Sequence, residues 1–180
     1  MQLEYTDEVH IQPSGRMSAI LTSSGPLQIV IPAKDSRHLS AATRLAHSLD
    51  VYHKIDADIL ETKEVQNMSR ASEANIVLIT DGSDTLLPRL LAGGGTPFAF
   101  ENGVLTVRSR AVKPDEAAVF LHPHPTYPER LVLVMYADSQ PALERALRLF
   151  PVRTGITVPD WVIISPEADK IGAGGVVGAG

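Results

Sequence analysis

The chain has 180 residues, 44% of them hydrophobic and 21% charged, with a net charge of −5 and a pI of about 5.6. That length suits one domain with a core of its own, and that balance excludes an unstructured polar tail. The acidic sum and the scattered Lys and Arg argue against a nucleic-acid partner, because phosphate binding needs a clustered basic surface.

No apolar run approaches the roughly 20 residues that span a bilayer, so no membrane partner is expected. Met1 to Gly15 mixes charge and polarity and does not read as a signal peptide. Cysteine is absent, which removes disulfides, thiol nucleophiles and Cys-ligated zinc.

Residues 1–26 read as an N-terminal edge strand or linker, with Met17 to Thr22 as the strand candidate. Residues 27–180 read as a single α/β domain. Leu27 to Pro32 is a short apolar run rich in β-branched residues, the pattern of a strand buried on both faces. Leu39, Ala42, Leu45, Ala46 and Leu49 then recur at helical spacing, which predicts a helix over residues 36–50 with Asp35 or Ser36 as its cap. Ala57 to Glu61 predicts a second strand, and Lys63 to Arg70 a short polar helix behind Thr62. Asn75 to Thr80 is the clearest strand and stops at the turn signal Asp81-Gly82. Asp84 is placed to cap a helix through Leu91, with Pro88 in its first turn, and the glycines from Gly93 to Gly95 end it.

The pattern then changes. Pro97 to Val107 predicts two strands joined at Glu101-Asn102-Gly103, since Asn-Gly is the strongest short hairpin signal. Ala117 to His122 and Arg130 to Ala137 predict two more strands. The three prolines of the connector from His122 to Pro128 argue against a regular helix or central strand there. Ser139 caps a helix with Pro141 near its start and Leu143, Ala146, Leu147 and Phe150 on its buried stripe. Trp161 to Ile164 is the last clear strand, and Gly172 to Gly180 is nearly all Gly, Ala and Val. Strand–helix alternation followed by adjacent strands predicts a three-layer α/β/α body: a mostly parallel, Rossmann- or flavodoxin-like sheet with an antiparallel hairpin excursion.

No candidate for chemistry is complete. The tail from Gly172 to Gly178 imitates a dinucleotide fingerprint, but Ser165 to Lys170 separates it from its strand and no helix follows. A loop or edge segment is the plainer reading, and no cofactor is expected. His122 and His124 form a His-x-His pair, a weak metal candidate without the further ligands such sites need. Ser83 follows a strand and precedes a helix but lacks the second glycine of a nucleophile elbow. Among Asp35, Asp56, Asp58 and Asp81, Asp35 and Asp81 fall just past the C-terminal ends of parallel strands, where open α/β sheets bind ligands. A small-ligand site at Asp35, Asp81, Gly82 and Ser83 is one expectation; helix capping by the same Asp residues is the other.

Pro151-Val152-Arg153-Thr154-Gly155-Ile156-Thr157-Val158-Pro159-Asp160-Trp161, together with Ala142 to Leu147, resembles the C-terminal region of large secreted proteins built around a prolyl-oligopeptidase-type α/β-hydrolase module. Such proteins occur in fungi and, more distantly, in bacteria. Asn75 to Ile79, Pro97-Phe98 and Glu101-Asn102-Gly103 are similar to the same region, and the likeness covers roughly residues 25–180. The resemblance implies an extracellular accessory domain whose partner is the hydrolase domain of the same parent protein. It transfers no catalytic residue, because the family's serine elbow has no matching position here. Three functions are therefore weighed: a non-catalytic accessory domain, an independent ligand-binding module, and a small serine hydrolase using Ser83.

Overall fold

A computed structural model of the chain describes residues 17–33, 36–65, 73–93, 95–150 and 159–180. In chain order the elements are α1 (Ala19–Thr22), β1 (Leu27–Ile31), α2 (Ser36–His53), β2 (Ala57–Glu61), α3 (Thr62–Val65), β3 (Asn75–Thr80), α4 (Leu86–Leu91), β4 (Phe98–Glu101), β5 (Val104–Val107), β6 (Arg110–Ala111), β7 (Ala117–Pro123), β8 (Leu131–Ala137), α5 (Gln140–Leu149), β9 (Trp161–Ile164), α6 (Ala168–Ile171), a 3-10 turn (Gly172–Gly175) and β10 (Val176–Ala179).

The main sheet has the order β10-β9-β7-β8-β3-β1-β2. β2, β1, β3 and β8 pair in parallel. β7 runs antiparallel to β8 and to β9, so β9 points with the parallel set, and β10 closes the edge antiparallel to β9. The fold is thus mixed α/β, with a mostly parallel seven-stranded sheet and a separate antiparallel sheet of β4, β5 and β6.

The apolar runs of β1, β3 and β8 are continuous because each strand fills both faces of the sheet. All six residues of β3 and all seven of β8 are buried. On one face Ile29, Ile31, Val77, Leu133 and Met135 meet Ala42, Leu45 and Leu49 of α2 and Leu143 and Ala146 of α5. On the other, Val30, Leu78, Phe120 and Val134 meet Leu87 and Leu90 of α4 and Phe98, Leu105 and Val107 of the small sheet. Phe98 stacks on Phe120 with ring centroids 4.2 Å apart, which fastens the small sheet to the main one.

The small sheet is a meander built on two tight turns. Asn102 and Gly103 have φ of 52° and 78°, both left-handed, as the Asn-Gly signal requires. Arg108 and Ser109 repeat the geometry with φ of 47° and 67° but without a glycine. Hence β6 carried no sequence signal. Arg110 at its start grips Glu116 through two hydrogen bonds of 2.7 and 2.9 Å.

Two expectations are corrected. Met17 to Thr22 does not form a strand: α1 is a helical turn, and Met17 before it and Ile20 within it are buried. Met17, Ile20 and Leu21 stand at i, i+3 and i+4, a helical spacing that the β-branched content obscured. Nor do all three prolines of the connector lie outside the sheet: β7 runs one residue past the predicted His122 and takes in Pro123. Leu121 N–H donates across to Asp160 and His124 N–H back to Arg130, so the missing N–H of Pro123 falls on the side where β9 has not begun.

The last helix and the tail are tied together. Ser139 Oγ accepts from Ala142 N–H and caps α5. Arg145, 1% exposed, donates from Nη1 to Asp169 at 2.7 Å and from Nη2 to the Asp115 carbonyl. Arg148 donates to the other Asp169 oxygen, so α6 is held against α5 from two sides.

Candidate functional site

The parallel strands end together. Chain leaves β1 at Pro32, β2 at Thr62 and β3 at Asp81. From β1 the sheet grows one way to β2 and the other way to β3 and β8. That reversal is a topological switch point, where the connections diverge and leave a crevice beyond the strand ends. An open cleft of ≈ 370 Å³ lies there. Pro32 and Ala33 line it from β1, Thr62 and Lys63 from β2, His38 from α2, and Asp81, Ser83, Asp84 and Thr85 from β3.

The turn after β3 organises the cleft. Thr80 Oγ1 donates to Asp84 and accepts from Gly82 N–H at 2.9 Å. Asp84 Oδ1 accepts from Leu86 N–H at 2.7 Å and Leu87 N–H at 3.0 Å, the capping of α4 that the sequence predicts. Asp81 Oδ1 accepts from both the backbone N–H and the hydroxyl of Ser83, at 3.0 and 2.5 Å. Asp81 Oδ2 accepts from Arg37 Nη2 at 2.6 Å, and His38 Nε2 lies 3.9 Å away. Burial pushes the Asp81 carboxyl up, but the two Ser83 hydrogen bonds, then the charges of His38 and Arg37, together hold it below its ordinary value.

Of the sequence-derived site, then, Asp81, Gly82 and Ser83 come together. Asp35 lies outside the described residues. Asp56 and Asp58 are exposed at the opposite end of the sheet, before and within the start of β2, and take no part. Arg37 and His38 are the members that sequence reasoning missed. Nothing at residues 37–38 refers to residue 81; only the parallel β1–β3 pairing brings the first turn of α2 over the end of β3.

Ser83 is exposed, and its hydroxyl hydrogen goes to a carboxylate rather than to an imidazole. A carboxylate held below its ordinary pKa is a weak acceptor for that proton, whereas serine nucleophiles are usually activated by an imidazole that a third group orients.

His122 and His124 are buried rather than solvent-facing, at 7% and 4% exposure. His122 Nδ1 lies 2.6 Å from the Pro123 carbonyl. His124 Nδ1 accepts from Thr126 N–H and Tyr127 N–H at 3.2 and 3.1 Å and thereby caps the proline turn. Burial holds both imidazoles below their ordinary value. A nitrogen that accepts two backbone N–H groups has no lone pair left for a metal. Among the described residues no three His, Asp or Glu side chains are grouped to hold a metal ion.

Comparison with known proteins adds a distant likeness. No family model matches the chain. It is similar to an uncharacterized secreted protein of Arthroderma benhamiae, 26% identical over 172 residues, which covers 91% of this chain. The chain spans 18% of that relative's length.

Gly82 shows how the small sheet reaches the cleft. Its φ of +83° is left-handed, and a Cβ there would stand 2.7 Å from the Phe100 ring and 3.3 Å from Tyr136. Gly82→Ala is expected to cost about 1–3 kcal/mol, from the left-handed backbone and the overpacked rings together. Urea unfolding monitored by circular dichroism measures it, and an unchanged midpoint would mean that the turn is not built as described.

Proposed function

We propose that this chain is a non-catalytic domain of a larger secreted protein, packed beside a hydrolase module of the prolyl-oligopeptidase type or shaping access to it. The observation that carries this reading is the relay Ser83 to Asp81 to Arg37. It commits Ser83, the serine nearest to an elbow position in the sequence, to a structural carboxylate. The secreted relative, of which this chain spans 18%, supports an extracellular setting and a larger parent. The resemblance of residues 151–161 and their surroundings points to the hydrolase type. The sheet order β2-β1-β3-β8 supports a flavodoxin-like core in a three-layer body, extended by β7, β9 and β10.

Active-site labelling tests the absence of catalysis. A fluorophosphonate probe is expected to leave the chain unmodified, and ester hydrolysis by wild type and Ser83→Ala is expected to match the buffer rate. Stoichiometric labelling that disappears in Ser83→Ala would overturn the reading.

The position of the cleft favours a second reading, an independent module that binds a small ligand at the switch point. Polar groups from three strand ends and α2 converge on one crevice, the usual place for ligands in such sheets. A thermal-shift series with oligosaccharides, peptides and nucleotides is expected to raise the Tm for one class, with the rise reduced in Lys63→Ala at the exposed rim. Flat melting temperatures across all three classes would remove it.

A further inference from the structure

The connector between β7 and β8 is closed by a histidine in a role that Asn or Asp commonly fills. Thr126 N–H and Tyr127 N–H both donate to His124 Nδ1, at 3.2 and 3.1 Å. The side-chain oxygen of Asn or Asp accepts from amides two and three residues on in the same way. An amide oxygen keeps its lone pairs at every pH. An imidazole nitrogen has one lone pair and loses it on protonation.

The two histidines of the connector hold their hydrogens on opposite nitrogens. A carbonyl only accepts, so His122 Nδ1, 2.6 Å from the Pro123 carbonyl, carries a hydrogen. A backbone amide only donates, so His124 Nδ1 is bare and the hydrogen of its neutral ring sits on Nε2. A second proton on His122 goes to Nε2 and leaves its bond intact. On His124 it goes to Nδ1, where it meets two amide hydrogens. His124 is 4% exposed, and its Nε2 has no hydrogen-bond partner among the described residues. The Tyr127 ring lies against it, with centroids 5.2 Å apart. Two charged neighbours act on the ring: Glu129 favours the cation and Arg130 opposes it. Burial is the largest influence and keeps the imidazole below its ordinary value.

The capped turn also carries the other ties of the connector. Arg130 N–H donates to the Tyr127 carbonyl and His124 N–H to the Arg130 carbonyl, each at 3.0 Å. The Arg130 guanidinium donates to the Ser24 carbonyl and hydroxyl in the turn before β1. All of this lies where β8 and β3 begin, at the end of the sheet opposite the cleft.

We propose that His124 is a proton-operated latch: its neutral ring closes the turn from His124 to Arg130, and protonation of Nδ1 releases the Thr126 and Tyr127 amides and opens that turn while the sheet stays folded. The sheet survives because β7 and β8 pair through their own backbones as far as Pro123 and Leu131, without the ring. The fold favours the neutral imidazole. The closed turn is therefore fully populated above the unfolded value of about 6.5 and is lost as pH falls through the lower folded value. The inference does not depend on the proposed function, since it uses neither the cleft nor a parent protein.

Nitrogen-15 NMR of the intact chain, stepped from about pH 8 to about pH 4, with amide exchange at each step, tests it. At the upper end His124 is expected as the Nε2–H tautomer and His122 as the Nδ1–H tautomer. As His124 titrates, protection of the Thr126 and Tyr127 amides is expected to fall roughly tenfold, the loss of about one net hydrogen bond each, while the amides of β8 keep theirs. His124→Asn, whose side-chain oxygen accepts in acid as well, is expected to keep both amides protected across the range. Any of four results would overturn the proposal: a neutral His124 with its hydrogen on Nδ1, an imidazole that stays neutral until the whole domain unfolds, protection at Thr126 and Tyr127 that is unchanged as His124 titrates, or an equal loss of protection in folded His124→Asn. If that variant does not fold, the wild-type tautomers and exchange data decide the matter.

Discussion

Burial of β3 on both of its faces is the constraint from which the rest of the structure follows. Ile76 to Ile79 are apolar and buried, and they send alternate side chains into two separate cores. A strand of this kind has to lie inside a sheet with cover above and below. β1 and β8 pair on its two sides, α2 and α5 cover one face, and α4 with the small sheet covers the other. The polar ends are satisfied within the same framework. Asn75 accepts from Leu131 N–H and Ser23 Oγ and donates to the Ser24 carbonyl, joining the starts of β3 and β8 to the turn before β1. Thr80 binds Asp84 at the other end and begins the turn that shapes the cleft.

That turn ties up the polar side chains described at the strand ends. Among the described residues, Asp84 caps α4, and Asp81 joins the first turn of α2 to the β3 turn through Arg37 and Ser83. A free carboxylate or an activated hydroxyl would need those partners removed. The chain that carries this turn is similar to one part of a much longer secreted relative.

Much of this was legible from periodicity and punctuation. β2, β3 and β9 begin and end at the residues the sequence predicts, and Asn102-Gly103 makes the hairpin its residues signal. Ser139 caps α5 through its hydroxyl. What was not legible depended on distance or on absent signals. β6 follows a turn at Arg108-Ser109, two residues that seldom adopt left-handed backbone. Met17 to Thr22 reads as a strand because β-branched Ile20 and Thr22 obscure the helical spacing of Met17, Ile20 and Leu21. The glycine tail becomes an edge strand because Gly178 and Gly180 let the Trp161 ring lie against it. Arg37 belongs to the site only through a contact between residues 44 positions apart in sequence.

The ionised Asp81 carboxylate fastens the β3 turn to α2. Its pKa is lowered in the fold, so the stability it contributes is present above the unfolded value of about 3.9 and is lost as pH falls through the folded value. The direct measurement is urea stability of wild type and Asp81→Asn as a function of pH. A full gap between the two proteins is expected at neutral pH, closing progressively below about pH 4. Curves that superimpose at neutral pH, or a gap that stays constant into acid, would contradict it.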